Sequence, residues 1–343
     1  MLPISQIRAL RAHPESRIVY LNNAKVGCST VKANLWRLLS PETMDEDTDV
    51  HALEGSPFTE SLPDLDWLAQ ARIFSFVRNP HARIVSAYLN KIKRREGGTW
   101  AAFARHHGLA PEARISFDTF VEILHGAVPE TLNEHFRPQY LNLLFPLIRP
   151  NFLGTLEHMD TQLPALLERL TGKRIAQAER RAGHSTDAGA RVAEHFTDTA
   201  TQRRFLDVFA RDFEYFGYAP DLAHPDPIDP EARYDDHPHP ALAALAEYAR
   251  ANPHKQRWGL IAAIDAACPD RDDAAIAAWL LNARLENAQG RGDDGATMLR
   301  KNIDTVLNGP DYLRRTAARI AAGRGDWAVC ARIAAVAAPS PAT

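Results

Sequence analysis

The stretch Arg17–Leu39, RIVYLNNAKVGCSTVKANLWRLL, decides the fold of this chain. Its first part, Ile18–Leu21, is a β-branched and aromatic run that predicts a buried strand. From Ser29 or Thr30, the two predicted N-cap residues, the apolar positions follow a helical spacing. A strand, a tight turn and a helix N-terminus together form an anion site, because free backbone N–H groups converge there and the helix dipole adds positive charge.

The residues of this loop indicate phosphate or sulfate as the anion. Lys25 adds a full positive charge, but the loop does not match the ATP-binding pattern G-x-x-x-x-G-K-[ST]. It contains only Gly27, and its lysine precedes that glycine. The sequence therefore disfavours an ATP-dependent phosphotransferase, which would also need acidic magnesium ligands. A plain strand–helix turn with a surface lysine is the other interpretation of this stretch.

A second strand and helix carry the next charged motif. RIFSFV at 72–77 predicts a strand, and Arg78-Asn79-Pro80 leads from it into a helix with the sequence ARIVSAYLNKIKRRE. Arg78 follows the carboxyl end of this strand, where ligands bind in open α/β sheets, and its guanidinium matches the fork geometry of a phosphate. In the alternative interpretation, Arg78 pairs with a carboxylate and Ser86 fills a helix interface.

The two motifs together resemble sulfotransferase family 2, the carbohydrate sulfotransferases of the chondroitin and HNK-1 type, in its bacterial branch. AKVGCSTVK is similar to the family's 5′-phosphosulfate loop, with Ala24 in place of the usual proline, and FVRNPHARIVSA is similar to its 3′-phosphate motif. The resemblance implies 3′-phosphoadenosine-5′-phosphosulfate as the sulfuryl donor, with no metal. It assigns cofactor binding to Lys25, Val26, Gly27, Cys28, Ser29, Thr30, Lys32, Arg78, Ser86 and Arg137.

The resemblance also implies the catalytic residues. Lys25 would neutralise charge on the leaving phosphate oxygen, and a histidine would take the acceptor proton. His51 lies between the two cofactor motifs, where a related heparan sulfotransferase places its base, and His135 lies in NEHFRPQYL, which is similar to the family's His-aromatic segment. We favour His51, with His135 as the alternative base or a substrate ligand. The carboxylates of Glu54 and Glu134 are the next candidates.

The composition limits the other classes of protein. A net charge of −3 disfavours a nucleic-acid-binding protein, and the three widely spaced cysteines form no disulfide or zinc pattern. The N-terminal residues contain no apolar run long enough for a signal peptide or a transmembrane span. We therefore expect a cytoplasmic protein.

The chain divides at a segment rich in proline and aspartate. Residues 220–240 predict a linker between a sulfotransferase-like catalytic domain at 1–219 and an Ala-rich helical domain at 241–343. For the catalytic domain we predict an α/β fold similar to P-loop kinases, with a mostly parallel sheet flanked by helices. The second domain predicts α-helical hairpins, with tetratricopeptide repeats as the nearest analogy. These helices would cover the catalytic domain, form a homodimer contact or bind a protein partner.

Taken together, the sequence predicts a sulfotransferase that moves a sulfuryl group to an acceptor hydroxyl, most simply on a carbohydrate. Two alternatives stay open. One is a non-catalytic nucleotide-binding module with a helical lobe for partner recognition. The other is a sulfotransferase for peptide tyrosine, an amine or a lipid.

Overall fold

The computed structural model describes residues 10–45, 47–59, 65–127, 129, 132–143, 145, 148–175, 187–224, 226–227, 233–234, 281, 285, 294–309 and 311–337. Its centre is a five-stranded sheet whose spatial order follows the chain order. The strands are β1 (Leu10–His13), β2 (Ile18–Leu21), β3 (Arg72–Val77), β4 (Phe152–Thr155) and β5 (Arg233–Tyr234). The three central strands, β2 to β4, are parallel, and the edge strands β1 and β5 are antiparallel to their neighbours.

Helices connect and cover these strands. Among the described residues up to 224 they are α1 (Cys28–Leu39), α2 (Leu65–Ala69), α3 (Pro80–Ala87), α4 (Thr99–His106), α5 (Phe117–Gly126), α6 (Gln139–Asn142), α7 (Met159–Thr171), α8 (Val192–His195) and α9 (Thr199–Phe216). A π-helical turn, Tyr88–Lys93, continues α3. Short 3₁₀ turns lie at Pro41–Thr43, Glu96–Gly98 and Leu156–His158.

The alternation of side chains along the strands places helices on both faces of the sheet. On β2, Ile18 and Tyr20 pack into one cluster with α1 and α7, whereas Val19 and Leu21 pack into the other with α3, α5 and α9. Successive residues of a strand point to opposite faces, so a continuously apolar strand is buried on both sides. The prediction of an α/β fold with a mostly parallel sheet flanked by helices is confirmed.

The start of α1 differs from the sequence prediction. The helix begins at Cys28, and its N-cap is Gly27 in a left-handed conformation with φ of 66°, so the predicted N-cap at Ser29 or Thr30 is wrong. A Cβ at Gly27 would lie 2.9 Å from Met159 Sδ. The left-handed backbone favours a glycine here, because a residue with a Cβ would be strained and would also force the Met159 side chain to shift.

Both edge strands add to what the sequence predicted. β1 precedes the stretch Arg17–Leu39, and its residues Leu10 to His13 pair with β2. β5 lies inside the segment predicted as a linker, where Arg233 and Tyr234 pair with β4. Backbone hydrogen bonding to the exposed edge of the sheet thus orders this part of a proline-rich segment. The division into catalytic, linker and helical domains stays a prediction.

The described C-terminal residues are helical, as the sequence predicts. α10 (Asp294–Lys301), α11 (Ile303–Asn308), α12 (Asp311–Ala322) and α13 (Trp327–Ala337) share an apolar cluster that also contains Leu281 and Leu285. Arg315 of α12 donates a hydrogen bond to the carbonyl oxygen of His125, which connects these helices to α5. The helices predicted for 241–280 lie outside the described residues. Within the described part of the chain, no helix combines the length and apolarity that a membrane span needs.

Candidate active site

The loop between β2 and α1 is held in an unusual backbone conformation. Lys25 has a φ of 68° and Gly27 a φ of 66°, so the chain makes two left-handed turns within three residues. For a residue with a Cβ such as Lys25, this conformation costs about 1–3 kcal/mol, and such strain concentrates at functional sites. In α1 the hydrogen bonds start with Val31 N–H to the carbonyl oxygen of Gly27 at 3.1 Å. The earlier N–H groups of the first turn lack intrahelical acceptors, as at any helix N-terminus.

The side chain of Lys25 is directed by a residue far away in sequence. Its Nζ donates to Asn90 Oδ1 at 3.0 Å, on the π-helical turn. Burial and, after it, the positive charges of Lys91 and Arg78 lower the pKa of Lys25 to about 8, while Cys28 and Glu96 act in the opposite direction. The ammonium group is therefore charged at neutral pH but titrates close to it.

Arg78 joins the loop after β3 to the loop after β2. Its Nη1 donates to the carbonyl oxygen of Lys25 at 3.3 Å. Burial lowers the pKa of Arg78, and the carboxylate of Glu157 opposes that shift. Glu157 is fixed by the backbone N–H of Asn79 at 2.9 Å and by the hydroxyl of Tyr218 at 2.8 Å. The two predicted cofactor motifs thus meet at the carboxyl ends of adjacent parallel strands.

Ser86 and Arg137, two further predicted cofactor residues, are buried. Ser86 lies on α3 with 3% of its surface exposed, and Arg137 is 7% exposed. Arg137 Nε donates to Asn142 Oδ1 at 2.8 Å, so its guanidinium is engaged with the segment that carries His135. Their predicted contacts with a nucleotide stay predictions.

His51 lies against the first turns of α1. Its Nε2 is 2.8 Å from Ser29 Oγ, and its Nδ1 is 3.1 Å from Lys32 Nζ. Because an ammonium group can only donate, Nδ1 accepts from Lys32, so Nε2 carries the ring proton and donates to Ser29. The imidazole is exposed on one side, but both of its nitrogens are used. The structure therefore brings His51 to the predicted loop, where it joins Ser29 and Lys32 through hydrogen bonds.

His135 has a different environment. It is half-buried, and its Nδ1 lies 2.6 Å from Asn133 Oδ1, which also accepts the backbone N–H of His135 at 3.1 Å. An atom that accepts a backbone N–H is an acceptor, so Nδ1 donates to it and Nε2 carries the lone pair. Burial, together with the nearby Lys91, Lys25, Arg83 and His51, lowers the pKa of His135 to about 3. His135 is thus neutral and lies within the electrostatic reach of both Lys25 and His51.

Arg83 connects all these segments, although the sequence analysis gave it no role. Its side chain is 1% exposed and donates to the carbonyl oxygens of Ala24 at 3.0 Å, Arg137 at 2.8 Å and Glu134 at 2.9 Å. It therefore fixes the His135 segment against the loop that holds Lys25. The sequence contained one sign of this role: Arg83 is a charged residue among the buried positions of α3, in the same motif as Ser86.

Buried amides and one carboxylate complete this network. Asn23 Nδ2 donates to Gln139 Oε1 at 3.0 Å, and Gln139 Nε2 donates to the carbonyl oxygen of Arg78 at 2.8 Å. The carboxylate of Asp212 accepts the N–H groups of Gln139 and Tyr140 at 2.8 and 2.9 Å. Burial raises the pKa of Asp212 to about 6, although the charge of Arg83 opposes this shift. The network holds three loops in one arrangement whose remaining charges are mainly positive.

Such an arrangement of N–H groups, Lys25 and Arg78 suits a multiply charged phosphate or sulfate ligand. Among the described residues, no group of three or more His, Cys, Asp or Glu side chains is placed to hold a metal ion. The prediction that no metal is required is not tested by this finding.

Comparison with known proteins agrees with the chemistry of the site. A family model described as "Sulfotransferase family" matches residues 8–219, which include every site residue described above. Carbohydrate sulfotransferase 14 of Danio rerio is 28% identical over 231 residues, which cover 62% of this chain and 62% of the relative. The chain thus spans less than two thirds of the length of that curated relative. No solved structure matches the chain.

Proposed function

Because the chain belongs to the sulfotransferase family, we propose that it transfers a sulfuryl group from 3′-phosphoadenosine-5′-phosphosulfate to a hydroxyl group of a carbohydrate. The carbohydrate acceptor is supported by the relative, whose name describes a carbohydrate sulfotransferase. The nucleotide donor is supported by the two anion-binding loops that meet beside Lys25.

One observation carries the proposal. Arg78 Nη1 donates to the carbonyl oxygen of Lys25 at 3.3 Å, and Arg83 donates to the carbonyl oxygens of Ala24 and Glu134, the residues that precede Lys25 and His135. An anion-binding loop, a phosphate-binding arginine and a neutral histidine therefore converge on one place. Transfer of a charged group needs this combination, since positioning and charge stabilisation supply most of the catalysis in the analogous phosphoryl transfer.

The donor set fits a nucleotide with phosphate groups at both ends of its ribose. The free N–H groups of Cys28, Ser29 and Thr30, with the loop residues Val26 and Gly27, would hold the 5′-phosphosulfate, which supplies an electrophilic sulfuryl group. Arg78 would hold the 3′-phosphate, together with Ser86. Lys25 would stabilise the charge that develops on the leaving phosphate oxygen.

We assign the general base to His135 rather than to His51. His135 Nε2 carries a lone pair that can take the acceptor proton, while Asn133 fixes the ring through Nδ1. Burial and, after it, the nearby cations lower the pKa of His135 to about 3. An anionic ligand bound at Lys25 opposes these cations, so donor binding raises the pKa of His135 towards the range in which a base is effective.

His51 then has a positioning role at the same site. It accepts a hydrogen bond from Lys32, whose side chain is 3% exposed, and donates one to Ser29 on the first turn of α1. These contacts orient two residues of the anion-binding loop. Arg137, held by Asn142, has a similar role in the His135 segment.

Two further features belong with this proposal. The strand–loop–helix arrangement at Lys25 supports a relationship to P-loop kinases. The C-terminal helices would act as a lobe on the catalytic region, a view supported by the bond from Arg315 to His125, or would form a contact with a second copy or a protein partner.

Two measurements test the proposed function. Calorimetry compares the binding of 3′-phosphoadenosine-5′-phosphate, ATP and ADP, and a transfer assay follows labelled sulfuryl from the donor to carbohydrate, peptide tyrosine, amine and lipid acceptors. We expect the 3′-phosphorylated nucleotide to bind most tightly. At a concentration of 100 times its Kd, it should raise the free energy of unfolding by about 2.7 kcal/mol. Transfer should be confined to the carbohydrates.

Each other outcome would select a different function. Preferential binding of ATP would indicate a phosphotransferase. Tight binding of the 3′-phosphorylated nucleotide without transfer to any acceptor would indicate a non-catalytic module. Transfer to another acceptor class would keep the sulfotransferase and reject the carbohydrate.

A further inference from the structure

Asn90 lies at the point where α3 changes its helical geometry. The turn Tyr88–Lys93 is π-helical, with a bond from Arg94 N–H to the carbonyl oxygen of Leu89 at 3.0 Å. A π-helical turn rotates the following side chains relative to an α-helix, and such turns occur frequently at functional sites. Asn90 is 3% exposed, and its Oδ1 accepts the hydrogen bond from Lys25 Nζ at 3.0 Å.

The other end of the same amide is bound to a carboxylate. Asn90 Nδ2 donates to Glu96 Oε2, because the left-handed residue Arg95 folds the chain back after the π-helical turn. The amide can have only this orientation, since the reverse would set its NH₂ group against the ammonium of Lys25 and its oxygen against the carboxylate. Glu96, Asn90 and Lys25 therefore form a chain from an anion, through an oriented dipole, to a cation.

We propose that Asn90 is a positioning residue for Lys25: its side-chain oxygen, anchored by Glu96, holds the ammonium group at the loop and keeps it charged. The consequence for turnover rests on the proposed sulfotransfer, whereas the hold on Lys25 does not. The arrangement answers a specific need, because a lysine that is buried among other cations tends to lose its proton.

The charged and titratable groups around Lys25 come from every neighbouring element. Lys91 on the π-helical turn and Arg78 after β3 disfavour its charged form, as does burial. Glu96 and Cys28 favour it. His135, on the segment before α6, interacts electrostatically with the same ammonium group. Asn90 adds a hydrogen bond to the charged form, so its removal should favour the neutral amine.

A lysine titration by NMR tests this inference without any assay of activity. The chain contains seven lysines, so their ¹³Cε resonances can be followed individually, and Lys25→Arg identifies the signal of Lys25. Asn90→Leu keeps the volume of the side chain and removes the acceptor. We expect the titration midpoint of Lys25 to fall by about 1–2 pH units, the equivalent of one hydrogen bond to a charged group.

A second variant and a matched control give the result its meaning. Glu96→Gln should lower the same midpoint by a smaller amount, and Asn302→Leu, which removes a partly buried amide contact in the C-terminal helices, should leave it unchanged. A variant that only loosens the structure would expose Lys25 and raise the midpoint. An unchanged or raised midpoint in Asn90→Leu would overturn the inference, whatever Glu96→Gln shows.

The pH profile of activity then separates the inference from the proposed function. The alkaline limb of kcat/KM should move to lower pH in Asn90→Leu by the same interval as the NMR midpoint. A shifted Lys25 midpoint in a protein without sulfotransfer would support the hold on Lys25 and reject the function. An unshifted limb in an active enzyme would remove the link between Asn90 and turnover.

Discussion

Two histidine-bearing segments of the molecule differ in what holds them. The loop around His51 is exposed and is attached to α1 and to β1, where Arg11 donates to the carbonyl oxygen of His51 at 3.2 Å. The segment around His135 is fixed by the buried network of Arg83 and Asn142. His51 uses both ring nitrogens in hydrogen bonds, whereas His135 uses Nδ1 and keeps the lone pair of Nε2.

The difference shows that a histidine close to the Lys25 loop is not for that reason a general base. Both histidines belong to the same electrostatic neighbourhood, since His51 affects the pKa of His135. A general base needs a lone pair for the acceptor proton, and the hydrogen bonds of His135 leave that of Nε2 in place. This is the basis of our proposal that His135 is the base and that His51 orients the loop.

Replacing each histidine tests this comparison with the largest expected effect. His135→Ala should lower kcat by about 10²–10⁴-fold, since the proton acceptor is lost. His51→Ala should raise KM for the donor more than it lowers kcat, because it disturbs the binding loop. Steady-state kinetics with both variants gives the ranking, and calorimetry with the product nucleotide verifies that His135→Ala still binds.

The reverse ranking would return the base to His51. Full activity in both variants would exclude both histidines, and the carboxylates of Glu134 and Glu54 would be tested next.

Lys25 interacts electrostatically with His135, so the next prediction concerns this lysine. Lys25→Ala should lower kcat by about 10²–10³-fold, as expected for the loss of one donor to the developing negative charge, while product-nucleotide binding stays comparatively intact. Single-turnover kinetics measures the chemical step, and Lys301→Ala in the C-terminal helices is the control. Normal turnover would mean that Lys25 takes no part in the chemical step and that Lys32, beside His51, has the catalytic role.

Arg78 and Ser86 are the predicted contacts to the 3′-phosphate. Arg78→Ala should weaken the binding of 3′-phosphoadenosine-5′-phosphate by about 1.5–3 kcal/mol, the typical loss for a charged hydrogen bond. Adenosine-5′-phosphosulfate lacks the 3′-phosphate, so its binding should change little, and Ser86→Ala should show the same preference with a smaller effect. Equal weakening of both ligands in calorimetry would contradict the assignment and would indicate that Arg78 mainly supports the loop through its bond to Lys25.

His81 provides a third histidine environment, without a role in the site. It is 2% exposed between Phe196, Phe205 and Phe213, and burial lowers its pKa to about 4. Because the unfolded state binds the proton more readily, the native protein loses stability as the pH falls from about 6.5 towards 4. This loss amounts to about 2 kcal/mol at pH 5.

Urea unfolding at pH 7 and pH 5 measures that effect. His81→Phe should reduce the difference in unfolding free energy between the two pH values by about 2 kcal/mol. Asp212 acts in the opposite direction, since its raised pKa favours the folded state as the pH falls, but it acts equally in both proteins. An identical pH dependence in the two proteins would show that His81 does not titrate as described.

The elements that carry Lys25 and Arg78 are visible in the local sequence. Apolar runs identified β2 and β3, and helical spacing identified the helices that follow them. Ligands bind at the carboxyl ends of strands in open α/β sheets, so the sequence also indicated the ends of β2 and β3 as the site. These features depend on residues that are close in sequence, so their pattern is visible in the chain.

The contacts that hold the site, and the hydrogen-bond partners of each histidine, appear only in the folded structure. β1 and β5 join the sheet by backbone hydrogen bonds that have little side-chain signature. Arg83 reaches carbonyl groups 51 to 59 positions away, and Asn90 is 65 positions from Lys25. Hydrogen bonds between such distant residues have no spacing rule. The state of each imidazole depends on which partners the fold brings to its two nitrogens, and this could be read only from the folded chain.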